Sequence, residues 1–138
     1  MALQAKQVQT LIRDWIPMAE DIDLRVESVT EASALIRIPF DEKNKRPGGS
    51  VSGPVLMAAA DTAMYAAILG AVGEVAMAVT SNLNINFMQR PGEVDIIAEG
   101  KILKLGKRIA YCEVELYTSQ SRELVAHCTG SYALPPES

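Results

Sequence analysis

The chain has 138 residues, is 49% hydrophobic and 22% charged, and carries a formal net charge of −4. Those values fit one globular domain spanning residues 1–138 with a core of its own. An acidic balance with no basic block argues against nucleic acid as a partner, and a lone histidine, His127, excludes any site that needs two.

Val8, Leu11, Ile12, Trp15 and Ile16 recur at helical spacing, and Pro17 closes that pattern, so a short amphipathic helix opens the chain. Ile22, Leu24 and Val26 then alternate with Asp21, Asp23 and Arg25. Ala32, Ala34, Ile36 and Ile38 repeat the alternation, and the two segments are expected to pair as a hairpin. Residues 41–51, with Pro47, Gly48 and Gly49, read as a polar loop.

Residues 54–69 read as a long helix. Pro54 suits its first turn, alanine, leucine and methionine fill it, and Gly70 and Gly73 offer stop signals. It is small or apolar nearly all round, so other elements must wrap it. Its length approaches a bilayer span, but an alanine-rich run with a carboxylate in the middle argues against a membrane. Asp61 is the only charge inside it. An unpaired buried carboxylate costs several kcal/mol, so Asp61 needs a partner from another element or faces a wet cleft.

After Gly73 the period becomes two. Val75, Met77, Val79, Ser81, Leu83, Ile85 and Phe87 share one face; Thr80, Asn82, Asn84 and Asn86 share the other. On that parity Thr80 reaches Asp61 only through a bulge or across a subunit boundary. Pro91-Gly92 makes a turn, Val94, Ile96 and Ala98 begin another strand, and Gly100 reads as a bulge or bend. Leu105-Gly106-Lys107-Arg108 turns into a strand carrying Ala110, Cys112, Val114 and Leu116, and Leu124, Ala126 and Cys128 form the last. Cys112 and Cys128 sit in apolar runs without metal or redox spacing and read as reduced core residues; with no leader-like start, the chain is placed in the cytoplasm. The order (helix, two strands, buried helix, four meandering strands) predicts an α+β layer in which one curved antiparallel sheet covers the long helix. One sheet covers only part of such a helix, so at least a dimer is expected.

Leu56-Met57-Ala58-Ala59-Ala60-Asp61-Thr62-Ala63 resembles the L-x-x-x-A-D-T-A helix of the hotdog-fold thioesterases of the phenylacetate-degradation type. Asn84-Ile85-Asn86-Phe87-Met88 with Arg90-Pro91-Gly92 resembles that family's next strand and turn, and Leu105-Gly106-Lys107-Arg108 its G-K-x turn. The resemblance implies acyl-CoA thioester hydrolysis at a dimer-interface site, with no metal and no cofactor beyond the coenzyme A of the substrate. It makes Asp61 the catalytic carboxylate, as base or nucleophile, and Gly53 the backbone donor to the thioester carbonyl. Thr80 would position the water, Lys107 and Arg108 would meet the CoA phosphates, and a dimer of dimers is the common assembly.

Three positions depart from the family pattern. Ser52-Gly53-Pro54 stands where relatives read H-G-G, and Pro54 removes one backbone donor. Arg46 stands where the family often has an asparagine, a role that does not transfer to nearby Asn44. Arg46 is a candidate clamp on Asp61, which would leave the carboxylate a weaker base. Blander readings stand beside these: Asp61 as a structural partner for a buried cation or for backbone donors, Ser52 as helix N-cap rather than substrate contact, Lys107 and Arg108 as solvated turn residues, His127 as structural. Asn82 is a candidate for the cleft. Two other functions remain in view: a non-catalytic acyl-CoA or small-ligand binding protein, and an enoyl-thioester hydratase, which would want a histidine beside the carboxylate.

Overall fold

A computed structural model describes residues 3–136. Helix α1 (Ala5–Trp15) buries Val8 and Ile12, and Pro17 then opens a second short helix, α2 (Pro17–Asp21), instead of only ending the first. Proline's missing N–H costs nothing at a helix start, so residues 17–21 are helical where the alternation around Ile22 suggested extended chain. The first hairpin follows as β1 (Arg25–Val29) and β2 (Ser33–Ile38). The segment read as a loop folds on itself: a 3-10 turn at Glu42–Asn44 leads into the small hairpin of β3 (Lys45–Arg46) and β4 (Ser50–Val51). Gly48 and Gly49 turn it at φ +100 and +78, backbone that side chains resist.

Helix α3 (Gly53–Val72) is the core, and Gly73 at φ 95 ends it. Gly70 is no stop signal. A Cβ there would lie 2.1 Å from Val29 Cγ1, so the glycine lets β1 pack against the helix. Long and apolar enough to cross a bilayer, α3 has 72% of its apolar window buried inside the fold. Its exposed or half-exposed residues in the N-terminal half, Gly53, Pro54, Met57, Ala58 and Asp61, fall on one stripe at helical spacing.

Four strands close the domain: β5 (Val79–Phe87), β6 (Ile96–Leu105), β7 (Ile109–Thr118) and β8 (Ser121–Ala133). The six-stranded antiparallel sheet runs β1-β2-β6-β7-β8-β5. Only β6 to β8 meander; β5 lies beyond β8 at the far edge, and residues 75–78 form its approach rather than its start. Gly100 is regularly paired to Ala34 and Val114, and the bulge comes at Leu103. The glycine is there because a Cβ would sit 2.7 Å from the Ala63 carbonyl oxygen, which brings α3 down onto the sheet. Cys112 and Cys128 are buried free thiols, and burial pushes both up to about 11, which keeps them protonated and inert.

Candidate active site

Asp61 has two partners, and neither is Arg46. Its Oδ1 accepts the Thr80 hydroxyl at 2.6 Å and the Tyr132 hydroxyl at 2.7 Å. Thr80 reaches it because the register of β5 on β8 shifts between Thr80 and Asn82, leaving Ser81 as the extra residue of a bulge. The bulge turns Thr80 to the helix side, opposite Tyr132, and puts Ser81 and Asn82 outward together. Ser81 Oγ lies 2.9 Å from Ser131 Oγ on that outer face. Asn82 pairs with Ser131 and so leaves the cleft, contrary to expectation.

Sequence reading passed over Tyr132. The signal was there: Ala126, Cys128, Gly130 and Tyr132 share one parity, and a buried tyrosine needs a partner for its hydroxyl. Its O–H also lies 3.1 Å from the Asp61 carbonyl oxygen, and its ring stacks on Tyr65 at 5.7 Å. Burial and the adjacent carboxylate push the phenol well above the ordinary tyrosine range, so it stays a neutral donor. Both hydroxyls converge on Oδ1, so Oδ2 is the oxygen they leave unused. The carboxylate lines a cleft of about 450 Å³ with Trp15, Ile16, Tyr65 and Val79.

Gly53 lines a different cleft, of about 460 Å³, with Arg46, Ser50, Leu56, Phe87 and Arg90. In the first turn of α3, Pro54 has no N–H, while Val55 and Leu56 donate to the Ser52 carbonyl at 3.1 and 3.2 Å. That leaves the Gly53 N–H as the donor not engaged in the helix. Ser52 occupies the N-cap position, yet its side chain makes no capping bond. Asn44 is buried, and its carbonyl accepts from Ser52 N–H at 2.9 Å, pinning the preceding hairpin to the helix start. Lys107 and Arg108 are exposed on the β6–β7 turn and line neither cleft. Leu134 N–H donates to the Arg108 carbonyl at 2.7 Å, so that turn sits at the Asp61 end of the sheet. His127 is on the outer face, its Nε2 2.9 Å from Glu113 Oε2 and outside both clefts. No group of three metal-ligating side chains occurs among the described residues.

A long helix laid across a curved antiparallel sheet is the fold of the hotdog thioesterases, and this chain places a hydroxyl-held carboxylate partway along that helix and a free N–H at its start. The thioesterase superfamily model matches residues 48–125, more than half of the chain and all of the segment from Gly53 through the Lys107-Arg108 turn. The chain belongs to the thioesterase superfamily. A Saccharolobus solfataricus protein named "putative esterase" is 27% identical over 127 residues, covering 92% of this chain and 89% of that one. A crystal structure from Silicibacter sp. TM1040, named "putative thioesterase", superposes with a TM-score of 0.88 at 29% identity, covering 97% and 93% of the two chains. The Thermus thermophilus phenylacetic acid degradation protein PaaI, in a single-substitution mutant form, shares the fold at 22% identity with a TM-score of 0.74, over 85% and 97%.

Proposed function

We propose that this protein hydrolyses acyl-CoA thioesters by carboxylate-assisted attack of water, at a site assembled from two copies of the chain. The observation that carries the reading is the Asp61 carboxylate, fixed through Oδ1 by Thr80 and Tyr132 in an open cleft. Held this way, Oδ2 is oriented to take a proton from water as the water oxygen attacks the thioester carbon. The Gly53 N–H, at the positive end of α3, stabilises the oxyanion that forms. Collapse of the tetrahedral intermediate breaks the carbon–sulfur bond; the CoA sulfur leaves with the proton, and the acid is the second product.

In this reading the oxyanion donor and the general base come from different chains. Gly53 and Asp61 are eight residues apart on α3, roughly 12 Å along the axis, and they open into separate clefts. Strand β5 supports the solution. It is a sheet edge with its second side unpaired, and Met77, Val79, Phe87 and Met88 around it are more than half exposed. Antiparallel pairing of β5 with itself about Leu83 sets Val79 opposite Phe87 of a second copy. Phe87 packs beside Gly53, its ring within 4 Å of the glycine's Cβ position, while Thr80 bonds Asp61. The Gly53 end of one copy thus meets the Asp61 end of the other. In that dimer Arg46 and Arg90 from the Gly53 end and Lys107 and Arg108 from the Asp61 end of the other copy would be the cations that meet the CoA phosphates; the reading calls on no cofactor or metal. Dimers of this kind pairing into tetramers, in the cytoplasm, complete the proposal.

The test is thiol release from short, medium and aromatic acyl-CoAs by wild type and Asp61→Ala. A loss of at least about 100-fold in the folded variant is expected. Equal rates would remove Asp61 from the mechanism, and wild-type binding without any turnover would make the chain a carrier.

A further inference from the structure

Trp15 is the chain's only tryptophan and reaches the Asp61 cleft for a local reason. Helix α1 stops at Trp15, Pro17 starts α2, and Ile16 between them is extended at φ −124, ψ 92. The break presents Trp15 and Ile16 to the cleft instead of continuing the helix past it. Their position is fixed from both sides. Val8 and Ile12 are fully buried under α1, and Arg13 bonds Glu20 at 3.0 Å and Asp23 at 3.2 Å. Tyr65, Ala76 and Val79 line the same cleft. The lining contains no cation, and Asp61 is its only charge.

We infer that this cleft takes the acyl group of the substrate, an uncharged apolar chain, and that Trp15 and Ile16 set the chain length it accepts. The inference rests on the thioesterase reading for the acyl identity of the ligand and on the cleft itself for the chemistry. Phosphates are excluded from a pocket whose one charge is a carboxylate, whereas the other cleft presents Arg46 and Arg90. An apolar chain entering beside Asp61 Oδ2 would displace water from Trp15, Tyr65 and Val79 and bring its carbonyl carbon to the carboxylate. The N-terminal helix is then a wall of the specificity pocket.

The single tryptophan makes binding visible without turnover. Non-hydrolysable S-alkyl-CoA thioethers of increasing chain length, from ethyl to dodecyl, titrated against the whole protein, are expected to blue-shift Trp15 emission, and free CoA is not. Affinity is expected to rise about fourfold per added methylene until the cleft is filled. Ala76→Leu fills part of the cleft and keeps the reporter, so its limit is expected at shorter chains. Trp15→Ala, followed by calorimetry, is expected to move the limit to longer chains, with Trp15→Phe between the two. Three results would overturn the inference: the same emission change with CoA as with alkyl-CoA, tighter binding of longer chains with Trp15 emission unmoved, or no chain-length dependence. A chain-length-dependent shift in a protein that releases no thiol would sink the hydrolase reading and leave this one standing.

Discussion

The two ends of β5 are chemically opposite. At its start lie acceptor and apolar wall: the Asp61 carboxylate with Thr80 and Tyr132, and the Trp15 cleft. At its end lie donors: the Gly53 N–H and the guanidinium groups of Arg46 and Arg90. In the proposed dimer each end of this edge strand carries half of a thioester site, and a two-fold axis across the edge would join unlike halves. On that proposal the catalytic unit depends on strand pairing as much as on the side chains.

The sharpest way to break the comparison is complementation. Gly53→Pro deletes the one free donor at a position where a helix tolerates proline, and is expected to cost about 10²- to 10³-fold in turnover. Asp61→Ala is expected to be at least as severe. Mixed and refolded together, the two dead variants are expected to recover about a quarter of wild-type activity, because half the dimers are mixed and each has one intact site. No recovery would place both halves of a site on one chain.

Next in size are the two hydroxyls. A hydrogen bond to a charged group contributes about 1.5–3 kcal/mol, so Tyr132→Phe and Thr80→Val are each expected to lower kcat by about 10- to 100-fold. KM is expected to hold, and Thr80→Ser to restore most of the rate; steady-state kinetics on folded protein decides. Smaller still, Arg46→Gln is expected to raise KM for CoA esters a few-fold, with a weaker effect at high salt and none on esters of a short neutral thiol.

The smallest effect is in the scaffold below Trp15. Asp23 is held below the usual carboxylate range, first by its hydrogen bond from Arg25 and then by Arg13, against the opposing effect of burial. A lowered folded-state value means that its stabilisation is present above the unfolded carboxylate range and is lost as pH falls through the folded value. Asp23 is about half exposed, so Asp23→Asn is expected to cost less than about 1 kcal/mol near neutral pH and nothing in strong acid. Thermal melts at several pH values measure it.

Local pattern was enough for much of this molecule. The helical run around Asp61, the strand alternation, the two buried cysteines and the motif resemblance all lie in contiguous residues, where period and composition speak directly. Asp61 stood out because a carboxylate in an apolar helix needs a reason. The glycines misled because sequence gives backbone freedom and tertiary structure assigns its use: Gly70 and Gly100 serve close approach, to Val29 and to Ala63, rather than a stop or a bulge.

What tertiary structure alone decided concerns residues far apart in the chain. The Ser81 bulge set Thr80 on the face of Leu83 instead of the face of Asn82, because a one-residue shift of register flips every side chain beyond it. Tyr132 meets Asp61 across 71 positions because β8 crosses α3 there, and Arg46 misses Asp61 because its hairpin is pinned to the helix start. The sequence by itself determined which groups the chain owns and which elements carry them. Only the packing of helix on sheet decided which groups meet, since hydrogen bonds act over about 3 Å and sequence periodicity fixes a face, not a neighbour.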